Sequence, residues 1–456
     1  MTGHSILDGD TIAAVATPPG RGGIGIVRIS GERARSIGEA VTGRSLEPRR
    51  AVHCTFRSHD GPAIDDGIVL LFEGPASFTG EDVVELQGHG GPVVMDLLLA
   101  EIVSLGARVA RPGEFSLRAF LNGRMDLAQA EAVADLIDAS SQAAVRGALR
   151  SLHGEFSDSV HVVAEELLDL RCFVEAAMDF PDEEIDFLSD GQVLSRVDTL
   201  LEKLEALLND SAQGLILREG VSIVLLGEVN AGKSSLLNLL AREDAAIVTD
   251  QPGTTRDLVE RHVEVDGLPL KIIDTAGLRE SPDFVEQEGI RRALARCDEA
   301  ERVLVMIDAR ATACTLDGLF PEYASRLPRA RTTLIRNKID LTGEAPALGT
   351  SDGLPVISLS VRTETGIELL RRHLAEIVGF VADPEQMFVA RRRHVAALES
   401  ALAELRQGRE RLALDGSGEL LAENLRGAHA QLAEITGEVS TDELLGRIFE
   451  SFCIGK

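Results

Sequence analysis

Tryptophan is absent from the 456 residues and tyrosine occurs once. Proteins that grip nucleic acid by base stacking need such rings in series, so an extended stacking platform is excluded. Basic side chains are also in deficit: 46 Lys and Arg face 74 Asp and Glu, a formal net charge of −28. Broad phosphate binding relies on Lys and Arg, so a stand-alone RNA binder is disfavoured. Any RNA substrate would be held by a basic partner or a small local patch. The five cysteines (Cys54, Cys172, Cys297, Cys314, Cys453) are scattered without a CxxC pair. That argues against structural zinc and a disulfide framework, and suits a reducing cytosol. No apolar run reaches the roughly eighteen residues of a membrane span. Met1–Asp10 shows no basic stretch leading into an apolar one, so no secretory signal is expected.

What is present is the composition of a soluble globular protein, 44% hydrophobic and 26% charged. The length calls for about two to four domains. Residues 1–125 mix β-rich runs (11–16, 24–29, 67–72, 82–86) with glycine turns and one helical stretch, 93–105, which predicts an α+β domain. From 126 to about 216 the pattern is helical. Its segment 155–190 carries twelve acidic residues against one basic residue, Arg171, and reads as a solvated helix face plus a loop. Residues 220–380 alternate strands (221–226, 259–265, 269–273, 302–308, 332–336, 355–359) with helical stretches, as an α/β domain should. Helical pattern resumes over 383–456, with Leu398, Leu402, Leu405 and Leu412 on one face. Two helical segments flanking an α/β segment predict one all-α domain split by an insertion; periodicity alone equally allows consecutive domains.

The inserted segment carries the chemistry. Gly227-Glu228-Val229-Asn230-Ala231-Gly232-Lys233-Ser234 follows an apolar strand and precedes a helical run, the arrangement of a P-loop. Gly227 and Gly232 let the backbone curl its N–H groups toward phosphate oxygens, and the helix N-terminus adds positive charge. Lys233 supplies a cation for the β- and γ-phosphates, and the Ser234 hydroxyl can ligate Mg²⁺. Asp274-Thr275-Ala276-Gly277 places an Asp at a strand end near the metal and a Gly N–H near the γ-phosphate. Thr255, within Gly253-Thr254-Thr255, can reach Mg²⁺. Asn337-Lys338-Ile339-Asp340 follows another strand, and its Asp can accept from two N–H groups on the guanine edge. Adenine lacks that pair and would leave the carboxylate unsatisfied. Four such elements in order define a guanine-nucleotide domain.

One position is informative by what it lacks. Ras-like enzymes place a Gln after this Asp-Thr-Ala-Gly motif to orient the attacking water, and here the residue is Leu278. The water must be positioned otherwise, by Glu280, Asp283, Glu286 or Glu288, or by a cation. Asn230 and the Thr249–Thr255 loop offer oxygen ligands suited to a monovalent ion.

Outside the nucleotide segment stand Thr17-Pro18-Pro19-Gly20-Arg21-Gly22-Gly23-Ile24-Gly25, Phe78-Thr79-Gly80-Glu81-Asp82 and Gln87-Gly88-His89-Gly90-Gly91. Arg111-Pro112-Gly113-Glu114-Phe115 and the terminal Cys453-Ile454-Gly455-Lys456 complete the set. With them, essentially the whole chain resembles the MnmE (TrmE) family of bacterial tRNA-modification GTPases. The resemblance implies a folate-binding N-terminal domain that also dimerises, a split helical domain and an inserted G domain. It implies a homodimer in the cytoplasm. A partner using FAD, MnmG (GidA), would join it in a heterotetramer or larger complex and hold most of the tRNA. Together they install an aminomethyl-type group, such as carboxymethylaminomethyl, at C5 of the wobble uridine, the one-carbon unit coming from a tetrahydrofolate such as 5-formyltetrahydrofolate.

The resemblance also assigns residues. GTP contacts fall on Asn230, Ala231, Gly232, Lys233, Ser234 and Ser235, then on Thr249, Asp250, Gln251, Pro252, Gly253, Thr254 and Thr255. They continue on Asp274, Thr275, Ala276 and Gly277, on Asn337, Lys338 and Asp340, and on Ser360, Val361 and Arg362. Ser234 and Thr255 hold Mg²⁺; Asn230, Thr249, Gln251 and Thr254 match the family's potassium loop. Glu286 matches the acid that orients the water, joining Asp274 and Thr255 in catalysis, and Cys453 matches the family's terminal cysteine. Arg28, Glu85, Arg124 and Lys456 match folate contacts, whereas their sequence setting alone reads as solvated strand edges or structural ion pairs. Departures are Val229 for Pro, Gln251-Pro252 for Ile-Ala, Ser360-Val361-Arg362 for Ser-Ala-Arg, and Arg124 where Lys is common. Two other readings stand beside this one. A regulatory G protein of ribosome assembly would carry basic RNA-binding appendages, which the −28 charge opposes. A folate-dependent transferase with a vestigial GTPase would not retain every nucleotide element.

Overall fold

The computed structural model describes residues 9–179, 192–227, 230–243, 260–274, 295–311, 315–319, 324–381, 387–439, 442–450, 452 and 455; the side chains of 242, 243, 260, 274, 442 and 443 are left aside. Contacts divide the chain into two compact units. One comprises Met1–Ala134, Phe156–Asp190 and Gln407–Lys456; the other comprises Asp135–Glu155 and Gly191–Arg406.

The first unit is built on a six-stranded sheet. Its elements are β1 (Ile12–Val15), β2 (Gly22–Ser30), α1 (Ala34–Thr42), β3 (Val52–Arg57), β4 (Ala63–Phe72), β5 (Val83–Gly90), α2 (Pro92–Ser104) and β6 (Arg108–Val109). The strand order is β3-β4-β5-β2-β1-β6, antiparallel except for the short β1–β6 pair. Alternation along β2 sends Val27 and Ile29 into the core, both at 0% exposure, and turns Arg28 to the other face, where its register partner is Glu85. Ile37 and Val41 of α1 and Leu98 and Ile102 of α2 join that core. Each such side chain contributes roughly 1.5–3 kcal/mol on burial. α1 ends at Gly43, whose left-handed φ of 64° lets its N–H return to Glu39 O. The next helix, α3 (Glu114–Leu121), completes the set that positions the N-terminal motifs.

Helices follow, as the composition predicts: α4 (Leu127–Asp138), α5 (Gln142–Leu152), α6 (Glu155–Asp179) and α7 (Gln192–Glu219). Asp158, Glu165, Asp169 and Glu175 of α6 are exposed, the solvated acidic face expected from the charge run; the loop expected beyond it lies outside the described residues. After the α/β segment come helices Arg392–Asp415, Gly418–Thr436 and Asp442–Glu450. Leu398, Leu402, Leu405 and Leu412 are all buried. No described helix is long and apolar enough to cross a membrane.

The α/β segment of the second unit is a seven-stranded sheet: β7 (Val221–Gly227), then helix α8 (Lys233–Glu243), β8 (Glu260–Val265), β9 (Leu268–Asp274), β10 (Arg302–Asp308), β11 (Thr332–Asn337), β12 (Ala347–Ser351) and β13 (Leu354–Ser358). The order β12-β13-β11-β10-β7-β9-β8 puts β7 at the centre between two parallel neighbours. Near-continuous apolar runs such as Val303–Ile307 fit a strand covered on both faces. Two apolar clusters cover them, one holding Ile223, Leu225 and Met306, the other Val224, Val303 and Val305. The outer strands β8 and β12 pair antiparallel. Three elements were not anticipated: α1, β3 and β12. β12 is nearly all exposed and so lacks any apolar alternation.

Gly67 of β4 sits so close to β5 that a Cβ there would overlap the Gln87 carbonyl oxygen and approach the Phe56 ring to 2.8 Å. Gly67→Ala is therefore expected to cost about 1–3 kcal/mol of local stability. Faster amide hydrogen exchange across residues 63–90 would report it; wild-type exchange would show that the strands part at no cost.

Candidate nucleotide site

The C-terminal ends of β7, β10 and β11 meet at one edge of the sheet, where α/β folds bind ligands. Gly227 ends β7 with φ 146°, and a Cβ there would overlap Met306 O of β10. The chain then passes through Asn230 at φ 66° and Gly232 at φ 106°. Gly232 has a second reason to be glycine: a Cβ would overlap the Asn337 amide nitrogen. Lys233 opens α8, and its Nζ donates to Gly227 O at 2.6 Å, which bends the ammonium back over the loop. Ser234 and Ser235 are exposed in the first turn of α8, where unpaired backbone N–H groups and the helix dipole favour anions. Ala231 is buried at 2%.

Asn337 is 3% exposed and lies between two loops. Its Nδ2 donates to Ala231 O at 2.8 Å, and its Oδ1 accepts from Val361 N at 3.0 Å. One amide therefore fastens the phosphate loop to the 360 loop. Its own carbonyl accepts from Ala309 N at 2.7 Å, tying in the end of β10. Lys338 adopts a left-handed φ of 71°, and its Nζ pairs with Asp308 Oδ2 at 2.9 Å. Arg310 grips the same carboxylate through Nε at 3.0 Å and Nη2 at 2.8 Å. Hydrogen bonding from Arg310, joined by that from Lys338, holds the Asp308 carboxyl far below the usual carboxylate range, so this clamp stays charged throughout the neutral and mildly acidic range.

Asp340 is exposed, and its Oδ1 accepts from Ser360 Oγ at 2.7 Å. The Ser360 hydroxyl accepts in turn from Thr363 N at 3.3 Å, and its backbone pairs both ways with Thr365. The carboxylate is thus aimed by a fully buried serine, while Arg362 is exposed beside it. The structure brings Asn230–Ser235, Asn337, Lys338, Asp340 and Ser360–Arg362 together. The backbone of Asp274 ends β9 beside β7, with Leu225 as its register partner. Thr249, Asp250, Gln251, Pro252, Gly253, Thr254, Thr255, Thr275, Ala276, Gly277, Leu278 and Glu286 lie outside the described residues. Asp308 was missed by sequence reasoning. Its signal was positional: a charged residue closing an apolar strand at the edge where β7 and β11 also end.

In the first unit, Arg28 and Glu85 do pair: Nε and Nη2 donate to Glu85 Oε1 at 3.0 and 2.9 Å. The guanidinium lies 5.5 Å from the Phe78 ring centroid and 5.8 Å from that of Phe115. Arg124 is exposed, its stem beside Gly80. Gly455 packs on the Val15–Ala16 backbone, next to Ala14, the register partner of Arg28. Cys453 and Lys456 lie outside the described residues. Two motif acids serve the fold. Glu81 and Glu114 turn inward to Arg118, at 3.1 and 3.3 Å, and Arg118 also binds Asp10 at 2.7 Å. Burial opposes ionisation of Glu114, yet Arg108, 2.7 Å away, and the Arg111 N–H hold its carboxyl below the usual range.

Asn337→Ala removes both fastenings and leaves Ala231 O and Val361 N buried without them. At about 1–3 kcal/mol for each stranded group, GTP affinity should fall by about 10–100-fold, measured by calorimetry. Wild-type affinity would show that the loops hold their places independently.

The comparisons bear on the whole chain. The family model described as the N-terminus of the GTP-binding protein TrmE matches residues 11–124, and that of the MnmE helical domain matches residues 127–453. The tRNA modification GTPase MnmE of Stutzerimonas stutzeri is 56% identical over 450 residues, 98% of this chain and 99% of that protein. Those of Ectopseudomonas mendocina and Yersinia pestis are similar at the same identity and coverage. The solved G domain of the T. maritima FeoB iron transporter matches 34% of this chain and 97% of its own at 24% identity, with a TM-score of 0.27, too low to carry weight. An α+β N-terminal domain, an all-α domain and a P-loop GTP-hydrolysing domain, matched end to end by these relatives, place the chain in the MnmE (TrmE) family of tRNA-modification GTPases.

Proposed function

We propose that this GTPase acts on C5 of the tRNA wobble uridine together with a partner that uses FAD, of the MnmG (GidA) type, drawing its one-carbon unit from a reduced folate. The single observation that supports the folate step best is the Arg28–Glu85 pair between two aromatic rings. A carboxylate suits the N–H-rich edge of a pteridine, and Phe78 and Phe115 suit its plane. Arg124 and Lys456 would add cations toward the rest of the ligand. In this reading the cytoplasmic protein works as a homodimer joined through residues 1–125. Residues 126–216 and 383–456 form one helical domain, and residues 220–380 are the inserted G domain. The −28 charge favours leaving most of the tRNA to the partner.

At the nucleotide, Ser234 and Thr255 would hold Mg²⁺. The exposed hydroxyl of Ser234 in the first turn of α8 fits that role. Asn230, turned outward at φ 66°, fits the start of a potassium site continued by Thr249, Gln251 and Thr254. A bound potassium ion supplies positive charge against the transferring phosphoryl group, as an arginine finger does elsewhere. Glu286 would orient the water that Leu278 cannot hold. Cys453 is assigned to the tRNA-modifying step, near the folate residues through its neighbour Gly455.

Deleting the gene and analysing tRNA nucleosides tests the reading. Loss of the C5-substituted wobble uridines is expected, with restoration by the wild-type gene. Unchanged wobble uridines would contradict it.

A further inference from the structure

The Gln87-Gly88-His89-Gly90-Gly91 motif is used by neither the nucleotide site nor the Arg28–Glu85 pair, yet the fold is shaped around it. Asp65 of β4, its side chain only 10% exposed, takes hold of His89 twice. Oδ2 accepts from the His89 backbone N–H at 2.7 Å, and Oδ1 lies 2.7 Å from Nδ1. Burial of the Asp65 carboxyl opposes ionisation, but these bonds from His89 keep it below the usual range. The ring itself is 72% exposed, and Nε2 bonds to no described residue. Glycines on both sides make the seat possible. A Cβ at Gly88 would overlap the Asp65 carboxylate, and one at Gly90 would come within 2.7 Å of Ile24 O and 2.8 Å of Gly22 O. A carboxylate on Nδ1 fixes that nitrogen as the protonated one and stabilises the imidazolium, which then presents Nε2–H outward.

The position of this group suggests its ligand. Alternation along β5 puts the Cβ atoms of Glu85, Gln87 and His89 on one face, and Gln87 Nε2 reaches toward Glu85 Oε2 at 3.5 Å. His89 lies four residues beyond Glu85, about 13 Å along an extended strand. A tetrahydrofolate has hydrogen-bond donors on its pterin edge and carboxylates at the far end of a rigid aminobenzoyl spacer. The strand offers the complement: a carboxylate at Glu85 and a cationic imidazole at His89.

We propose that His89, clamped by Asp65, is a further ligand-binding residue of the N-terminal unit and donates from Nε2 to the glutamate carboxylate of the bound tetrahydrofolate. This rests on the folate reading above and extends that site along β5. Calorimetry on the full-length protein separates the two ends of the ligand, using 5-formyltetrahydrofolate and a 6-methyltetrahydropterin that lacks the tail. His89→Gln should weaken the tailed ligand by about 10-fold, the scale of one charge-assisted hydrogen bond, and leave the pterin unchanged. Asp65→Asn should show a smaller loss with the same selectivity. Wild-type binding of both ligands by His89→Gln would overturn the proposal. So would equal weakening of both, which would make His89 a support of the strand. If the wild-type protein binds neither compound, the folate reading fails and the assignment of His89 falls with it.

Discussion

The nucleotide site depends on a single buried amide. Asn337 reaches Ala231 in the phosphate loop and Val361 in the 360 loop, so the two loops that meet a nucleotide at opposite ends are held at one spacing. The geometry has no slack. Gly232 must lack a side chain to let the amide in, and Gly227 must lack one to let β7 pack on Met306. Around this fastening, Ser360 aims Asp340 and Asp308 fixes Lys338. Recognition of the base is thus built from rigid strand ends and short bonds.

Much of this was legible in the sequence, for physical reasons. The apolar runs that become β7, β10 and β11 are long and flanked by glycines or charged residues, and the motif residues follow strand ends at fixed offsets. Asn337, Lys338 and Asp340 could be placed because their chemistry is tied to that spacing. The roles of Asn337 as a fastener and Asp308 as a clamp were not legible, because both depend on which strands become neighbours. β12 escaped notice because an exposed edge strand carries no buried alternation.

The N-terminal unit shows how one motif can serve two purposes. Glu81 and Glu114 had the look of ligand-binding acids, but the fold turns them onto Arg118 and Asp10. Buried charges of this kind must be paired, since removing one partner leaves another stranded. Arg28 and Glu85, with side-chain exposures of 22% and 14%, retain contact with solvent between two aromatic rings. Sequence setting alone could not separate these pairs, because all of them are charged residues near glycine turns. Exposure and neighbours separate them.

Recognition and hydrolysis are therefore supplied by different parts of the G domain. The guanine end is complete in the strand ends, whereas Leu278 leaves the catalytic end without the usual water-orienting side chain. The account predicts that a monovalent cation fills that role. The direct measurement is GTP hydrolysis by the purified protein in KCl and in NaCl at matched ionic strength, with GTP affinity measured in both. A kcat raised by about 10-fold or more in potassium, with affinity little changed, is the predicted result. Equal rates in the two salts would contradict the account and require an activator other than the cation.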